Sequence, residues 1–382
     1  MTAAAHQSGR RLALIVALLC LAAMVGPVAS ARATTSAAAS ATTAATTDWW
    51  VLLERASTAI RTTPFTAEAL WVTWLDGQSH VTRSSVRNDP GGELVVGSED
   101  GTIVRIGRDS AGLADGEASW ILAVPAGAAA DPREALKALE AKYEVAAPKP
   151  ERVMDRPCVR LDIRRRSDGS LRERLWLDEE TGLEFRRETY DVHGHPVRLI
   201  AYLSLDLAGA PGTAGRGLVR ITKPTQPRRQ DASEVQPAGL EALKAAGWTL
   251  PEALPGGYEP IGMYVLSSGE AQPLQITYSD GLYTVSVFQQ PGDVDWASLR
   301  PGAEQVADLG WRAYHWPGAF PATIVWEADG RTYAVVGDAP ADDLRAIAQA
   351  IPRSRPPSFV VRLGRGIHRL WSWMSFWRSR HF

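Results

Sequence analysis

The chain has 382 residues, of which 45% are hydrophobic and 22% are charged, a composition typical of a globular protein with room for two domains. The net charge of −2 conceals an asymmetry, because residues 1–33 and 353–382 carry ten arginines and no acid, which leaves residues 34–352 at −12. This acidic body lacks the basic excess that phosphate binding requires, so nucleic acid is not a predicted partner.

The N-terminus has the features of an export signal. Arg10 and Arg11 precede an apolar run over residues 12–25, and small residues at 29–33 provide candidate cleavage sites. The run is short for a membrane-spanning helix, which needs about 20 residues, so cleavage is favoured over retention as an anchor. Either outcome places the body outside the cytoplasm, in the periplasm or on the extracytoplasmic face of the membrane. We therefore predict that residues 1–33 are an export signal.

The two cysteines do not predict a disulfide. Cys20 lies in the signal, and a lipoprotein signal is disfavoured because Leu19 stands where a small residue is needed. Removal of the signal leaves Cys158 alone. Cys158 begins an alternating apolar run and is interpreted as a packed core residue rather than a nucleophile.

Residues 34–47 are uncharged and rich in Ala and Thr, which indicates a flexible spacer between the membrane and the fold. The following segment predicts an amphipathic helix with Asp48 at its N-cap. Its apolar face contains Leu52, Leu53, Ala56 and Ile60. A second helix is predicted over residues 131–143, from the spacing of Leu136, Leu139 and Tyr143.

From residue 65 onward, turn pairs separate segments in which apolar and polar residues alternate, a strong signal for β-hairpins. The pairs are Asp76-Gly77, Asp100-Gly101, Asp168-Gly169, Thr181-Gly182, His193-Gly194, Asp280-Gly281 and Asp329-Gly330. We predict a first β-rich domain over residues 48–207, a linker rich in Gly, Pro and Arg over 208–239, and a smaller domain over 240–352 that closes with a helix. The predicted fold class is α+β, with antiparallel strands.

The richest cluster of acids lies in a predicted hairpin turn. Glu179 and Glu180 fall at the tip of the turn 178–182, where water keeps a carboxyl group from acquiring the raised pKa of a general acid. Arginines on the flanking strands are expected to pair across the strands with Glu173 and Glu188. We therefore predict no catalytic residue in this stretch and no enzyme.

A second cluster, Asp191, His193 and His195, has alternate spacing that a metal site could use. Gly194 and Pro196 make this segment another turn, so a polar hairpin loop is the favoured interpretation. No metal or cofactor is predicted.

Two segments carry a family resemblance. The run "LWLDEETGL" within residues 156–197 and the run "YSDGLYTVSVF" at 278–288 resemble the RseB/MucB family of sigma-E regulatory proteins. The resemblance extends over residues 48–352. It implies a large domain that is a lipoprotein-carrier-like β half-barrel with helices plugging its concave side, followed by a smaller α/β domain.

The resemblance also implies a function. Such a protein is exported, is not an enzyme, binds the extracytoplasmic part of a single-span membrane anti-sigma factor and shields it from proteolysis. A lipid-like ligand in the half-barrel is the implied release signal. The alternative left open is a lipid or lipoprotein carrier of the cell envelope that uses the same half-barrel. Candidate lining residues of the concave face are Trp71, Trp74, Ile103 and Trp120, although such aromatic strand residues also serve as plain core.

The chain differs from the family that it resembles by a tail over residues 353–382, which members of that family lack. Its pattern predicts an amphipathic helix that lies in a membrane interface, with the alternative that it packs on the acidic body. The candidate membrane contacts are Arg362, Arg365, Ile367, Arg369, Leu370, Trp371, Met374 and Trp377.

Overall fold

The computed structural model describes residues 48–75, 78–89, 93–99, 103–106, 110–114, 119–123, 132–207, 228–230, 232–266, 272–299, 302–317 and 321–351. The predicted signal, spacer and basic tail lie outside the described residues, as do the turns Asp76-Gly77 and Asp100-Gly101. None of the helices in the described ranges combines the length and the apolar character that crossing a membrane would need.

The first sheet has thirteen strands in the described residues. They are β1 (Phe65–Leu75), β2 (Gln78–Asn88), β3 (Leu94–Ser98), β4 (Ile103–Ile106), β5 (Ser110–Ala114), β6 (Ser119–Ala123), β7 (Tyr143–Val145), β8 (Lys149–Val153), β9 (Arg156–Arg165), β10 (Leu171–Asp178), β11 (Glu184–Tyr190), β12 (Pro196–Asp206) and β13 (Arg228–Gln230). The order is β13-β6-β5-β4-β3-β2-β1-β12-β11-β10-β9-β7, and β8 pairs with β9. The described sheet is open, and its pairs are antiparallel except that of β13 with β6.

The predicted hairpins that fall within the described residues are confirmed. Gly169, Gly182 and Gly194 have φ angles of +69°, +79° and +83°, values that favour glycine because it has no Cβ. These turns join β9 to β12 as a meander, and the register pairs β10 with β9 and β11. The turn residues therefore fix the strand order in this half of the sheet.

Two helices, α1 (Trp49–Thr62) and α2 (Pro132–Lys142), cover one face of this sheet. Leu52 of α1 and Leu139 of α2 share an apolar cluster with Leu175 and Leu177 of β10. Asp48 occupies the N-cap of α1 as predicted, but its side chain makes no capping hydrogen bond, and only its backbone carbonyl accepts the first helical N–H groups. Packing against the sheet therefore holds α1 in place, since each buried leucine contributes about 2 kcal/mol.

The second sheet has eight strands in the described residues, in the order β14-β15-β16-β17-β21-β20-β19-β18. They are β14 (Ala232–Glu234), β15 (Glu259–Leu266), β16 (Leu274–Ser279), β17 (Thr284–Pro291), β18 (Glu304–Gln305), β19 (Ala313–His315), β20 (Ala322–Ala328) and β21 (Arg331–Gly337). Helices α3 (Leu240–Ala245) and α4 (Ala341–Ala350) and 3-10 turns at Pro237–Gly239, Trp296–Ser298 and Ala307–Leu309 complete this domain.

The predicted closing helix is confirmed. Leu344, Ile347 and Ala348 of α4 are buried against a core that includes Trp326 and Val335 of the sheet. The α+β fold class with antiparallel strands is confirmed.

Within the described residues, the range predicted as a linker contains two short strands, which is a difference from the sequence expectation. Residues 228–230 add to the first sheet, and residues 232–234 open the second. Three residues are too few to show the alternation of apolar and polar residues that predicts a strand. These strands are defined instead by their backbone pairing with β6 and β15.

Candidate binding site at the domain interface

The four predicted lining residues are not gathered at one place. Trp71 packs beside the buried cluster of Phe65 and Ala69 on one side of β1, whereas Trp74 lies at the end of β1 beside the second domain. Ile103 is half-buried in β4 and Trp120 belongs to β6, whose side chains lie outside the described residues. Neighbouring strands are about 4.8 Å apart, so the five steps from β1 to β6 span roughly 24 Å along the sheet.

A cleft of about 70 Å³ lies where β1 and β12 meet the second domain. Its walls are largely apolar and come from both domains: Trp74, Leu75, Val197, Trp316, Ile324 and Leu344. Pockets that enclose a whole drug-sized molecule usually have about 300–1,000 Å³. The cleft is therefore suited to a single apolar side chain of a partner or to the end of an alkyl chain.

Two arginines at the cleft are each paired with an acid. Arg198, which is 6% exposed, donates to Thr189 Oγ1 at 3.0 Å and lies 3.9 Å from Glu173 Oε1. Burial raises the pKa of Glu173, and the nearby arginines Arg187 and Arg198 act in the opposite direction. Arg345 lies 3.2 Å from Asp342. With both cations paired, the apolar walls dominate what the cleft can recognise.

A buried ion pair crosses the same interface. Arg172 of β10 has no exposed surface, and its Nη2 donates to Asp343 Oδ2 of α4 at 2.9 Å. Tyr258 Oη donates to the same carboxylate at 3.2 Å, and Tyr283 Oη donates to the backbone carbonyl of Arg172 at 3.0 Å. Burial raises the pKa of Asp343, whereas Arg172 lowers it. The buried guanidinium of Arg172 and the carboxylate of Asp343 therefore each have their charged partner in the other domain.

The acids of the hairpin turn at 178–182 have structural partners. Glu179 and Glu180 are exposed, as expected for the tip of a turn. Asp178 is buried, and its carboxylate accepts hydrogen bonds from Arg156 Nε at 2.9 Å and from the backbone N–H and hydroxyl of Thr181 at 2.8 and 2.7 Å. Burial alone would raise the pKa of Asp178, but these hydrogen bonds hold it below its ordinary value.

This lowered pKa predicts a pH-dependent contribution to stability. A carboxylate with a depressed folded-state pKa stabilises the fold fully above the unfolded value near 3.9, and this contribution is lost as the pH falls through the folded value. We expect Asp178→Asn to lower the free energy of unfolding by about 2 kcal/mol at pH 7. The difference from the wild type should shrink below about pH 4, as measured by urea unfolding across pH.

Glu180→Gln is the matched control, because Glu180 pairs with the same Arg156 but its side chain is 75% exposed. We expect this variant to change the stability by less than about 1 kcal/mol, in the range of surface pairs. Equal losses in the two variants would contradict the assigned role of Asp178.

The remaining polar candidates are also accounted for by local structure. Asp191 Oδ1 accepts the backbone N–H groups of His193 and His195, both at 2.8 Å, which makes the cluster a hydrogen-bonded turn. Within the described residues, no group of three His, Cys, Asp or Glu side chains is arranged to hold a metal ion. Cys158 is buried, and burial raises the pKa of its thiol to about 11, so the thiol is protonated at neutral pH.

Sequence reasoning does not identify the residues that join the domains: Tyr143, Arg172, Tyr258, Asp280 and Asp343. One signal is present, since the segment around Asp280-Gly281 is both a predicted hairpin and the most specific part of the family resemblance. A hairpin pattern does not identify what the turn contacts, and each of these residues meets a partner more than 80 positions away in the chain.

Comparison with known proteins confirms the predicted resemblance for part of the chain. Residues 118–231 match the model of the MucB/RseB N-terminal domain. No curated protein matches the chain.

Several solved structures resemble the chain. The complex of MucA and MucB from Pseudomonas aeruginosa is 18% identical, covers 80% of this chain and 99% of that chain, and has a TM-score of 0.45. MucB in complex with MucA(peri) is 19% identical, with 81% and 100% coverage and a TM-score of 0.43. A LolA superfamily protein from Nitrosomonas europaea is 16% identical, with 43% and 94% coverage and a TM-score of 0.22.

Proposed function

We propose that this chain is an exported regulatory binding protein of a sigma-E type envelope-stress pathway, which binds the extracytoplasmic part of a membrane anti-sigma factor. The observation that carries the proposal is the match of residues 118–231 to the MucB/RseB N-terminal domain. In this role the protein acts by binding, and none of its residues is assigned to catalysis. The charged clusters agree with this role, because Asp178 and Asp191 are occupied by local hydrogen bonds.

The cleft between the domains is the proposed contact for the partner. Its apolar walls and small volume suit one apolar side chain of an extended segment, with Trp74 and Trp316 as aromatic contacts. A segment held in this way would have its backbone against two domains at once. Access of a protease to the bound segment would then be reduced, which is the basis of the proposed shielding.

The proposed release signal is a lipid-like ligand that enters between the first sheet and its helices. Leu52, Leu139 and Leu161 form part of the apolar cluster that such a ligand would have to open. The same feature supports the alternative function, a carrier of lipids or lipoproteins in the cell envelope. The basic tail from Arg353 to Phe382 is proposed to hold the protein at the membrane surface, through arginines and tryptophans on one segment.

The binding proposal can be tested by calorimetric titration of the full mature chain with a synthetic extracytoplasmic segment of the anti-sigma factor encoded in the same organism. We expect a Kd in the micromolar range or below. Trp74→Ala should weaken binding about tenfold, equivalent to about 1.4 kcal/mol, because it removes one wall of the cleft. Trp50→Ala is the matched control, since Trp50 is an exposed tryptophan of α1 that does not line the cleft.

Absence of binding, together with an acyl lipid that purifies with the chain, would contradict the regulatory function and favour the carrier. Equal binding by Trp74→Ala and the wild type would place the partner on another surface. Equal losses in the two tryptophan variants would contradict the specific role of the cleft.

A further inference from the structure

Helix α2 is in contact with both domains. Leu139 of α2 is 5% exposed and belongs to the apolar cluster that joins the helices to the first sheet. Leu282 of the second domain packs against this same cluster and also against the core of its own domain. The first sheet, the two helices that cover it and Leu282 of the other domain therefore share one apolar core.

Leu282 is presented by a turn whose shape is fixed internally. Asp280 has no exposed surface, and its Oδ1 accepts the backbone N–H groups of Leu282 at 2.9 Å and Tyr283 at 2.7 Å. Ser279 Oγ accepts the N–H of Gly281 at 3.0 Å. The other oxygen of Asp280 accepts a hydrogen bond from the hydroxyl of Tyr143, which directly follows α2. We call residues 279–283 the docking turn.

The docking turn approaches the backbone of α2 closely. A Cβ built on Gly281 would lie 2.5 Å from Ala138 C and from Leu139 N, a distance that real Cβ atoms do not reach. The end of α2 has a second attachment, because Lys142 Nζ donates to the carbonyl of Gly257 and lies 3.3 Å from Glu259. The second domain therefore holds α2 at its middle and at its C-terminal end.

We propose that the docking turn pins α2 onto the first sheet, so that release of α2 and loosening of the domain interface are one coupled event. Any apolar ligand that displaces α2 must break the contacts of Leu282 and Tyr143, and a separation of the domains must in turn free α2. This reciprocity is a thermodynamic requirement when two events share the same contacts. This coupling is inferred from contacts alone. Only the consequence that a ligand which displaces α2 would also release a partner bound between the domains rests on the proposed function.

Hydrogen exchange of the full chain, followed by mass spectrometry without partner or ligand, tests the pin. Leu282→Ala should accelerate exchange of the amides of residues 132–142 about tenfold, since it removes the side chain that joins the turn to the α2 cluster. Leu282 also packs on the core of the second domain, so a change in the amides of β17 that Leu282→Ala shares with its control reports that core and not the contact with α2. Leu243→Ala is the matched control, because Leu243 packs on the core of the second domain and is not in the α2 cluster.

If Leu282→Ala fails to fold, Tyr143→Phe gives a milder test, because it removes only the hydroxyl that bonds to Asp280. Its control is Tyr190→Phe, which removes a bond from a tyrosine to Glu188 within the first domain. Unchanged exchange of α2, or equal acceleration in variant and control, would overturn the pin. Since no partner is present, loss of partner binding in the earlier titration would leave this result untouched.

Discussion

Replacement of Gly281 by alanine is expected to lower the free energy of unfolding by more than about 3 kcal/mol, among the larger effects of a single substitution. Two costs combine. The φ angle of +95° disfavours a residue with a Cβ by about 1–2 kcal/mol. The new Cβ would also fall 2.5 Å from the backbone of α2, so the turn or the helix has to move. Urea unfolding of the full chain measures the loss.

Gly330→Ala separates the two costs. Gly330 has a similar φ of +71° in a hairpin turn of the same domain, but no atom lies within 4 Å of the position that a Cβ would take there. We expect this control to lose only about 1–2 kcal/mol. Equal losses for the two variants would show that a Cβ at residue 281 meets no resistance from α2, which would contradict the close approach of the docking turn to this helix.

The second large effect is expected at Asp343. Asp343→Ala leaves the guanidinium of Arg172 buried at the interface without its carboxylate, and removal of one partner of a buried pair costs about 3–5 kcal/mol. It also removes the acceptor of the Tyr258 hydroxyl. The apparent midpoint of urea unfolding should fall accordingly, and an Arg172→Met/Asp343→Leu double variant should recover part of the loss.

Asp342→Ala is the control at the neighbouring position. Both acids lie in the first turn of α4, where they interact similarly with the helix dipole, but Asp342 is half exposed and pairs with Arg345 of the same helix rather than with the other domain. We expect a loss of about 0–1 kcal/mol for this half-exposed pair. A loss at Asp342 as large as that at Asp343 would assign the effect to the helix rather than to the domain interface.

Local features of the fold can be predicted from the sequence because their causes are local. Gly182 and Gly194 mark turns through a backbone conformation that other residues avoid, and both predicted hairpins are present. The stripe of Leu344, Ile347 and Ala348 likewise identifies the buried face of α4, since helical spacing places these side chains together.

The candidate site is predicted less well, for two physical reasons. The lining prediction groups Trp71 with Trp74, yet residues three positions apart along a strand point to opposite faces, so the two side chains cannot share one surface. The contact of Asp280 with Tyr143 and that of Asp343 with Arg172 depend on how two domains pack, which no local pattern encodes. The turn pattern places Asp178 in the turn but does not predict its hydrogen bond with Arg156, 22 residues earlier, which together with those from Thr181 lowers its pKa.

Protection of the anti-sigma segment from proteolysis is the direct test of the proposed binding function. The synthetic extracytoplasmic segment of the anti-sigma factor is incubated with a protease that cleaves it, with and without an equimolar amount of the full chain above its Kd. We expect slower cleavage with the wild type, cleavage nearer the free rate with Trp74→Ala, and restoration of the free rate by a lipid-like amphiphile. Cleavage at the same rate with and without the chain would contradict the proposed binding function.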